Sequence, residues 1–138
     1  MSRYLLDTNI LSETTRPNPD PGAQAFLDDL PEAYISVLSI HEMTYGLERL
    51  PQGRRRVALT DAIETLLGTF SETILAIAQP EARAAGALRA ASQAQGRYVD
   101  AADGLIAGTA LVHGLTIVTR NEKDFSGLGV LVHNPWSS

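Results

Sequence analysis

Apolar positions along this chain come in two patterns, short unbroken runs and longer stretches in which they recur every three or four residues. Tyr4-Leu5-Leu6 is a short run that stops at Asp7-Thr8-Asn9, which predicts a buried strand with polar groups at its carboxyl end and a short helix from about Ile10. Pro17, Pro19 and Pro21 with Gly22 then interrupt the chain. Ala23 to Leu30 predicts a helix with Phe26, Leu27 and Leu30 on one side, stopped by Pro31, and Ala33 to Val37 predicts a second strand. From Ser39 to Leu50 the apolar residues Ile40, Met43, Leu47 and Leu50 keep the spacing of an amphipathic helix, closed by Pro51 and Gly53. Arg54 to Leu67 repeats that pattern. Thr73 to Ala76 is a short strand, Pro80 to Gln95 an alanine-rich helix, and Asp100 to His113 a further helix ended by Gly114. Leu115 to Thr119 is the clearest buried strand, and Val130 to Val132 a last short one.

Strands that alternate with helices imply βαβ crossovers, so the expected fold class is α/β, with a mainly parallel sheet covered by helices on both faces. Ligands of such sheets sit beyond the carboxyl ends of the strands. That places the expected site at Asp7-Thr8-Asn9 and Thr119-Arg120-Asn121.

The 138 residues suit one domain over 1–138. With 44% apolar and 20% charged residues, the chain has ordinary globular usage. Cysteine is absent, which removes disulfides, thiolate metal sites and thiol nucleophiles, and makes the cytoplasm the expected compartment. The first apolar run is too short for a signal-peptide core, and no stretch approaches the roughly 20 apolar residues of a membrane span. A net charge of −5 argues against bulk attraction to nucleic acid. Arg54-Arg55-Arg56 is the one cationic cluster, either a solvated helix face or a phosphate contact, and Lys123 is the only lysine.

Four acids are placed to do chemistry or capping. Asp7, where the first strand ends, suits a site carboxylate or an N-cap. Glu42 stands three residues after Ser39, the capping-box pattern. Asp100 and Asp103 open a helix and share a face near its positive end. No glycine-rich phosphate loop follows a strand; His41, His113 and His133 are scattered, and Ser36 and Ser39 lie in no nucleophile elbow. The remaining chemistry is that of oxygen ligands, which suit hard cations such as Mg²⁺ or Mn²⁺.

Leu6-Asp7-Thr8-Asn9, Ser36-Val37-Leu38-Ser39-Ile40-His41-Glu42 with Tyr45-Gly46, Asp103-Gly104-Leu105-Ile106-Ala107-Gly108-Thr109-Ala110, Val118-Thr119-Arg120-Asn121 and the closing Asn134-Pro135-Trp136 resemble, in order and spacing, PIN-domain toxins of the VapC type, near the FitB-like branch. The resemblance implies an endoribonuclease dependent on Mg²⁺ or Mn²⁺, the toxin of a toxin–antitoxin pair. It also implies homodimerisation and inhibition by a cognate antitoxin encoded beside it, with DNA reached only through that antitoxin and no membrane partner. It assigns the first three metal-site acids to Asp7, Glu42 and Asp103, and leaves Asp100 as cap or support. The fourth acid of the family falls on Asn121, which offers a carbonyl oxygen but no charge. Asp124, one turn later, either replaces it or anchors the turn before Phe125. Thr119 and Asn121 are the expected orienting groups. Two other readings compete: a binding or regulatory module that acts through its antitoxin complex, and a receiver-like signalling domain.

Overall fold

In the computed structural model, which describes residues 3–30 and 32–137, five strands form one sheet: β1 (Tyr4–Leu6), β2 (Ala33–Ser36), β3 (Ile74–Leu75), β4 (Thr116–Val118) and β5 (Val132–His133). Their order is β3-β2-β1-β4-β5 and every pairing is parallel. Seven helices connect them: α1 (Thr8–Glu13), α2 (Pro21–Asp28), α3 (Val37–Glu48), α4 (Arg54–Thr69), α5 (Gln79–Ala94), α6 (Ala101–His113) and α7 (Glu122–Phe125). The chain is therefore α/β, as the alternating pattern predicts.

The register explains why short strands suffice. Leu5 is level with Ile117 and Leu6 with Val118, and because side chains alternate across a strand each pair serves a different face. Leu5 and Ile117 pack with Ile106, Ala107, Ala110 and Phe125. Leu6 and Val118 pack with Ile10, Leu11, Ile35, Met43 and Ile63. With a core on both faces, the polar residues after β1 and β4 remain at the carboxyl edge. No helix among the described residues is long and apolar enough to cross a membrane.

Several boundaries differ from the sequence expectation. Helix α3 starts at Val37, because Ser36, at the end of β2, is its cap: Ser36 Oγ accepts from Leu38 N at 3.0 Å. Ser39 then lies inside the helix, and the expected Ser39–Glu42 capping box does not form. Helix α1 starts at Thr8, earlier than Ile10, with Asp7 as N-cap. Helix α2 starts at Pro21, whose fixed φ suits a first helical position, and Asp20 caps it by accepting from Ala23 N. Its expected stop, Pro31, lies outside the described residues. The last strand is displaced to Val132–His133 by its pairing with β4, and the turn expected before Phe125 is the short helix α7.

Helices α5 and α6 approach closely at Gly108, where a Cβ would lie 2.7 Å from Ala85 N and 2.8 Å from Glu81 O. Arg89 on α5 donates from Nε to Val99 O at 2.8 Å, one residue before the Asp100 cap of α6. The first contact sets the body of α6 against α5, and the second holds the chain at the cap of α6, three residues before Asp103 is reached.

Candidate active site

Asp7 is held in place by the residues on either side of the sheet edge. Its Oδ1 accepts from Thr8 N at 2.8 Å, and its Oδ2 accepts from Thr119 Oγ1 at 2.9 Å. Thr119 is fully buried, and its hydroxyl oxygen also accepts from Asn9 Nδ2 at 3.0 Å and from Asn121 N at 3.1 Å. One donated and two accepted bonds exhaust a hydroxyl. The carboxyl ends of β1 and β4 are thus locked together around one oxygen.

A second link joins Asp7 to α3. Thr8 Oγ1 lies 2.7 Å from Glu42 Oε1 and 2.9 Å from Ser39 Oγ. With its single proton directed to the carboxylate, the Thr8 hydroxyl fixes Glu42 beside Asp7. Freed from capping, Glu42 is available to the site. Asp103 reaches the same cleft from the first turn of α6, where its backbone N–H is taken by Asp100 Oδ1 at 2.8 Å. Asp100 is thus the cap of α6, one of the two roles left to it by the sequence.

The cleft has a volume of about 1090 Å³, and its walls bring together Asp7, Glu42, Asp103 and Asn121. Thr119 lies beneath it and acts through Asp7; Asp124, on α7, is exposed and does not line it. Arg16, Arg55, Arg120 and Trp136 also face the cleft, a cationic and aromatic complement that no periodicity pointed to. Of the Arg54–Arg56 run, Arg55 faces the cleft, while Arg56 is turned away to Glu48 at 2.7 Å and to Leu50 O at 3.0 Å. The run is therefore split, with Arg56 held in an ion pair and Arg55 exposed on the cleft wall.

The acids disturb one another. Burial pushes the Asp103 carboxyl up to about 7, and the neighbouring charges of Asp100, Asp124, Asp7 and Glu42 add to it. Asp7 is also raised, chiefly by burial; the bonds from Thr8 and Thr119 oppose the rise, and the charges of Glu42 and Asp124 increase it. An oxygen-only group of mutually repelling carboxylates is the donor set a hard dication satisfies. Among the described residues, no three His, Asp or Glu side chains are already gathered into a ligand group, so the donors match such an ion in chemistry while their side chains stand apart.

The chain matches the PIN domain family model over residues 4–131. It is 36% identical over 135 residues to the toxin FitB of Neisseria gonorrhoeae, covering 96% of this chain and 97% of that protein. It is 31% identical to the VapC ribonuclease Y4jK of Sinorhizobium fredii, with 96% of each chain covered. The crystal structure of FitAcB from Neisseria gonorrhoeae superposes with a TM-score of 0.91 at 36% identity, covering 98% of this chain and 99% of that one. The matched span includes Asp7, Glu42 and Asp103 and leaves no place for a receiver-like reading: the chain belongs to the PIN-domain family.

Proposed function

We propose that this protein is a metal-dependent endoribonuclease and the toxin of a toxin–antitoxin pair, acting in the cytoplasm as one nuclease domain. The observation that carries the reading is the convergence on one cleft of Asp7, Glu42 and Asp103, with Asp103 raised to about 7 by burial and by its acidic neighbours. Its relatives' names, a toxin and a VapC ribonuclease, point the same way.

In this reading Asp7 and Asp103 hold a divalent cation, Mg²⁺ or Mn²⁺, with Glu42 as a further ligand or as the group that holds a water. A cation there supplies a more acidic water and offsets charge on the phosphate being cleaved. Thr119 keeps Asp7 oriented through its 2.9 Å hydrogen bond, and Thr8 does the same for Glu42 at 2.7 Å. Asn121 contributes the dipole of its side chain at the fourth corner, and Asp124 contributes charge from beyond the cleft wall. The partners are a single-stranded RNA substrate, a second copy of the chain in a homodimer, and an antitoxin that presents Arg or Lys to the acids. DNA is reached only through that antitoxin.

Incubation of the purified protein with structured and unstructured RNAs in Mg²⁺, Mn²⁺ or EDTA tests this. Cleavage of unstructured RNA that stops in EDTA is expected. Cleavage undiminished by EDTA overturns the metal, and metal binding without cleavage in any RNA leaves only the regulatory, antitoxin-binding reading, which the uncharged Asn121 keeps in view.

A further inference from the structure

Residues 134–137 follow β5 and lie beyond the segment matched by the family model. They run back across the molecule to the start of α2. Ser137 N and Oγ donate to Asp20 Oδ2 at 3.0 and 3.2 Å, and Gly22 N donates to Ser137 Oγ at 2.9 Å. The approach needs glycine at position 22, where a Cβ would meet Pro135 O at 2.5 Å. The strap so fastened carries Trp136 into the wall of the carboxylate cleft, partly buried against the Leu6–Val118 core.

Arg120 is what Trp136 meets there. The guanidinium lies over the indole, 5.8 Å from the ring centroid, and the strap also reaches the backbone of Arg120 through Asn134 Nδ2, 3.5 Å from Arg120 O. Asn134 Oδ1 in turn accepts from Trp136 N at 3.0 Å, which ties ring and backbone contact into one unit. Arg120 directly follows Thr119, the residue that holds Asp7. Among the described residues Arg120 pairs with no carboxylate, whereas Arg16 pairs with Glu13; Arg55, the other cleft arginine without an ion pair, has no aromatic face against it. An exposed cation in an acid-lined cleft, with no protein anion to neutralise it, is placed for an anion that the protein does not supply. Its planar fork matches a phosphate, and the aromatic face beneath reduces the rotamer freedom lost on binding.

We propose that Arg120 binds a backbone phosphate of the RNA next to the bond that is cut, and that Trp136, delivered by the C-terminal strap, is the positioning residue that holds the guanidinium there. This rests on the reading of the cleft as an RNA nuclease site. The indole Nε1 is buried and has no partner among the described residues, so the ring acts by its face and its packing, and a phenyl ring serves in its place.

The test uses a fluorescein-labelled single-stranded RNA, with Mg²⁺ and an Asp103→Asn host so that the RNA stays intact, and reads affinity by anisotropy. Arg120→Ala is expected to weaken binding about tenfold, the loss of one charge-assisted contact. It is also expected to make the slope of log affinity against log salt shallower by about 0.7, the value for one phosphate on a single strand. Trp136→Ala should weaken binding similarly, Trp136→Phe should restore it, and adding Trp136→Ala to Arg120→Ala should cost nothing more. Trp136 is the only tryptophan, so its emission should also respond to RNA in the host and not in the Arg120→Ala variant. Unchanged affinity and salt slope in Arg120→Ala overturn the phosphate contact. Losses that add in the double variant overturn the positioning role, as does a Trp136→Phe variant that is folded by circular dichroism yet binds as poorly as Trp136→Ala. Normal RNA cleavage with an indifferent Arg120 sinks this inference alone; RNA binding that depends on Arg120, without cleavage by the unmodified chain, sinks the nuclease reading and the placement beside a cut bond, and leaves the phosphate contact standing.

Discussion

Thr119 and Asp7, 112 positions apart in sequence, meet end to end: the Thr119 hydroxyl donates to Asp7 Oδ2 at 2.9 Å while accepting from Asn9 and from the backbone of Asn121. The parallel pairing of β1 with β4 brings Leu6 level with Val118, so the next residue of each strand falls at the same edge. A sheet built for burial thereby aims one carboxylate.

Thr119→Val keeps the shape of the side chain and removes its hydroxyl. Asn9 Nδ2 and Asn121 N lose their acceptor and Asp7 loses a donor. Unfolding in urea should show a loss of about 1–3 kcal/mol for stranded buried polar groups. RNA cleavage should fall at least about tenfold, because Asp7 is left both less ionised and less oriented. Wild-type cleavage in a folded Thr119→Val protein would show that the hydroxyl is only structural.

Asp7→Asn, Glu42→Gln and Asp103→Asn should each abolish metal-dependent cleavage with circular dichroism unchanged. Glu42 separates two roles. Since Ser36 and not Ser39 caps α3, Glu42→Gln should leave stability within about 0.5 kcal/mol of wild type, as for an exposed site away from any cap. A larger loss of helix stability, of the order of ~1 kcal/mol expected for a broken cap, would return Glu42 to a structural role.

The order of strands and helices was legible because each buried strand is an unbroken apolar run that stops at a polar cluster, as Leu5-Leu6 does at Asp7-Thr8-Asn9. Ser36 and Ser39 show where local pattern fails: both are serines near a helix start, and the end of β2 decides which hydroxyl reaches a free N–H. The bonds that assemble the site were out of reach altogether. Thr8 meets Glu42 across 34 positions, and Arg120 meets Trp136 across a short helix, a strand and a strap. No periodicity encodes such pairs. The acids themselves were legible as Asp7, Glu42 and Asp103 through resemblance, since each also has a credible capping role when read alone.

The raised Asp103 carboxyl sets a pH dependence for the metal-free protein. Its folded value, about 7, lies above the ordinary 3.8, so between these values the native state holds a proton that the unfolded chain has released. Stability from this group is therefore full at low pH and declines as pH rises through that window. Asn mimics the protonated form. In EDTA, Asp103→Asn should raise the melting temperature by about 3–5 °C for each kcal/mol relieved at pH 8, and the advantage should vanish near pH 4. An equal gain at both values would mean that the cost of ionising Asp103, from burial and from its acidic neighbours, is not its origin. Metal should erase the difference in the opposite sense, by binding only the charged wild-type site.

The fourth corner is where family and chain diverge, and two residues compete for it. Asn121 lines the cleft without charge, while Asp124 lies outside the wall, yet its charge is felt at both Asp7 and Asp103. Cation affinity grows with the number of charged ligands that reach the ion. Asn121→Asp puts a carboxylate on the wall itself and should tighten Mn²⁺ binding several-fold, with cleavage preserved or raised. Asp124→Asn removes charge only at a distance. It should weaken Mn²⁺ binding less than about threefold, and it should also lower the titration midpoint of Asp103, because one repelling neighbour is gone. Isothermal titration of Mn²⁺ into both variants, with Asp103 followed by carboxyl NMR, separates the two positions. Loss of Mn²⁺ binding in Asp124→Asn, with no change in Asn121→Asp, would place the fourth ligand on α7, swung inward by one helical turn when the ion arrives.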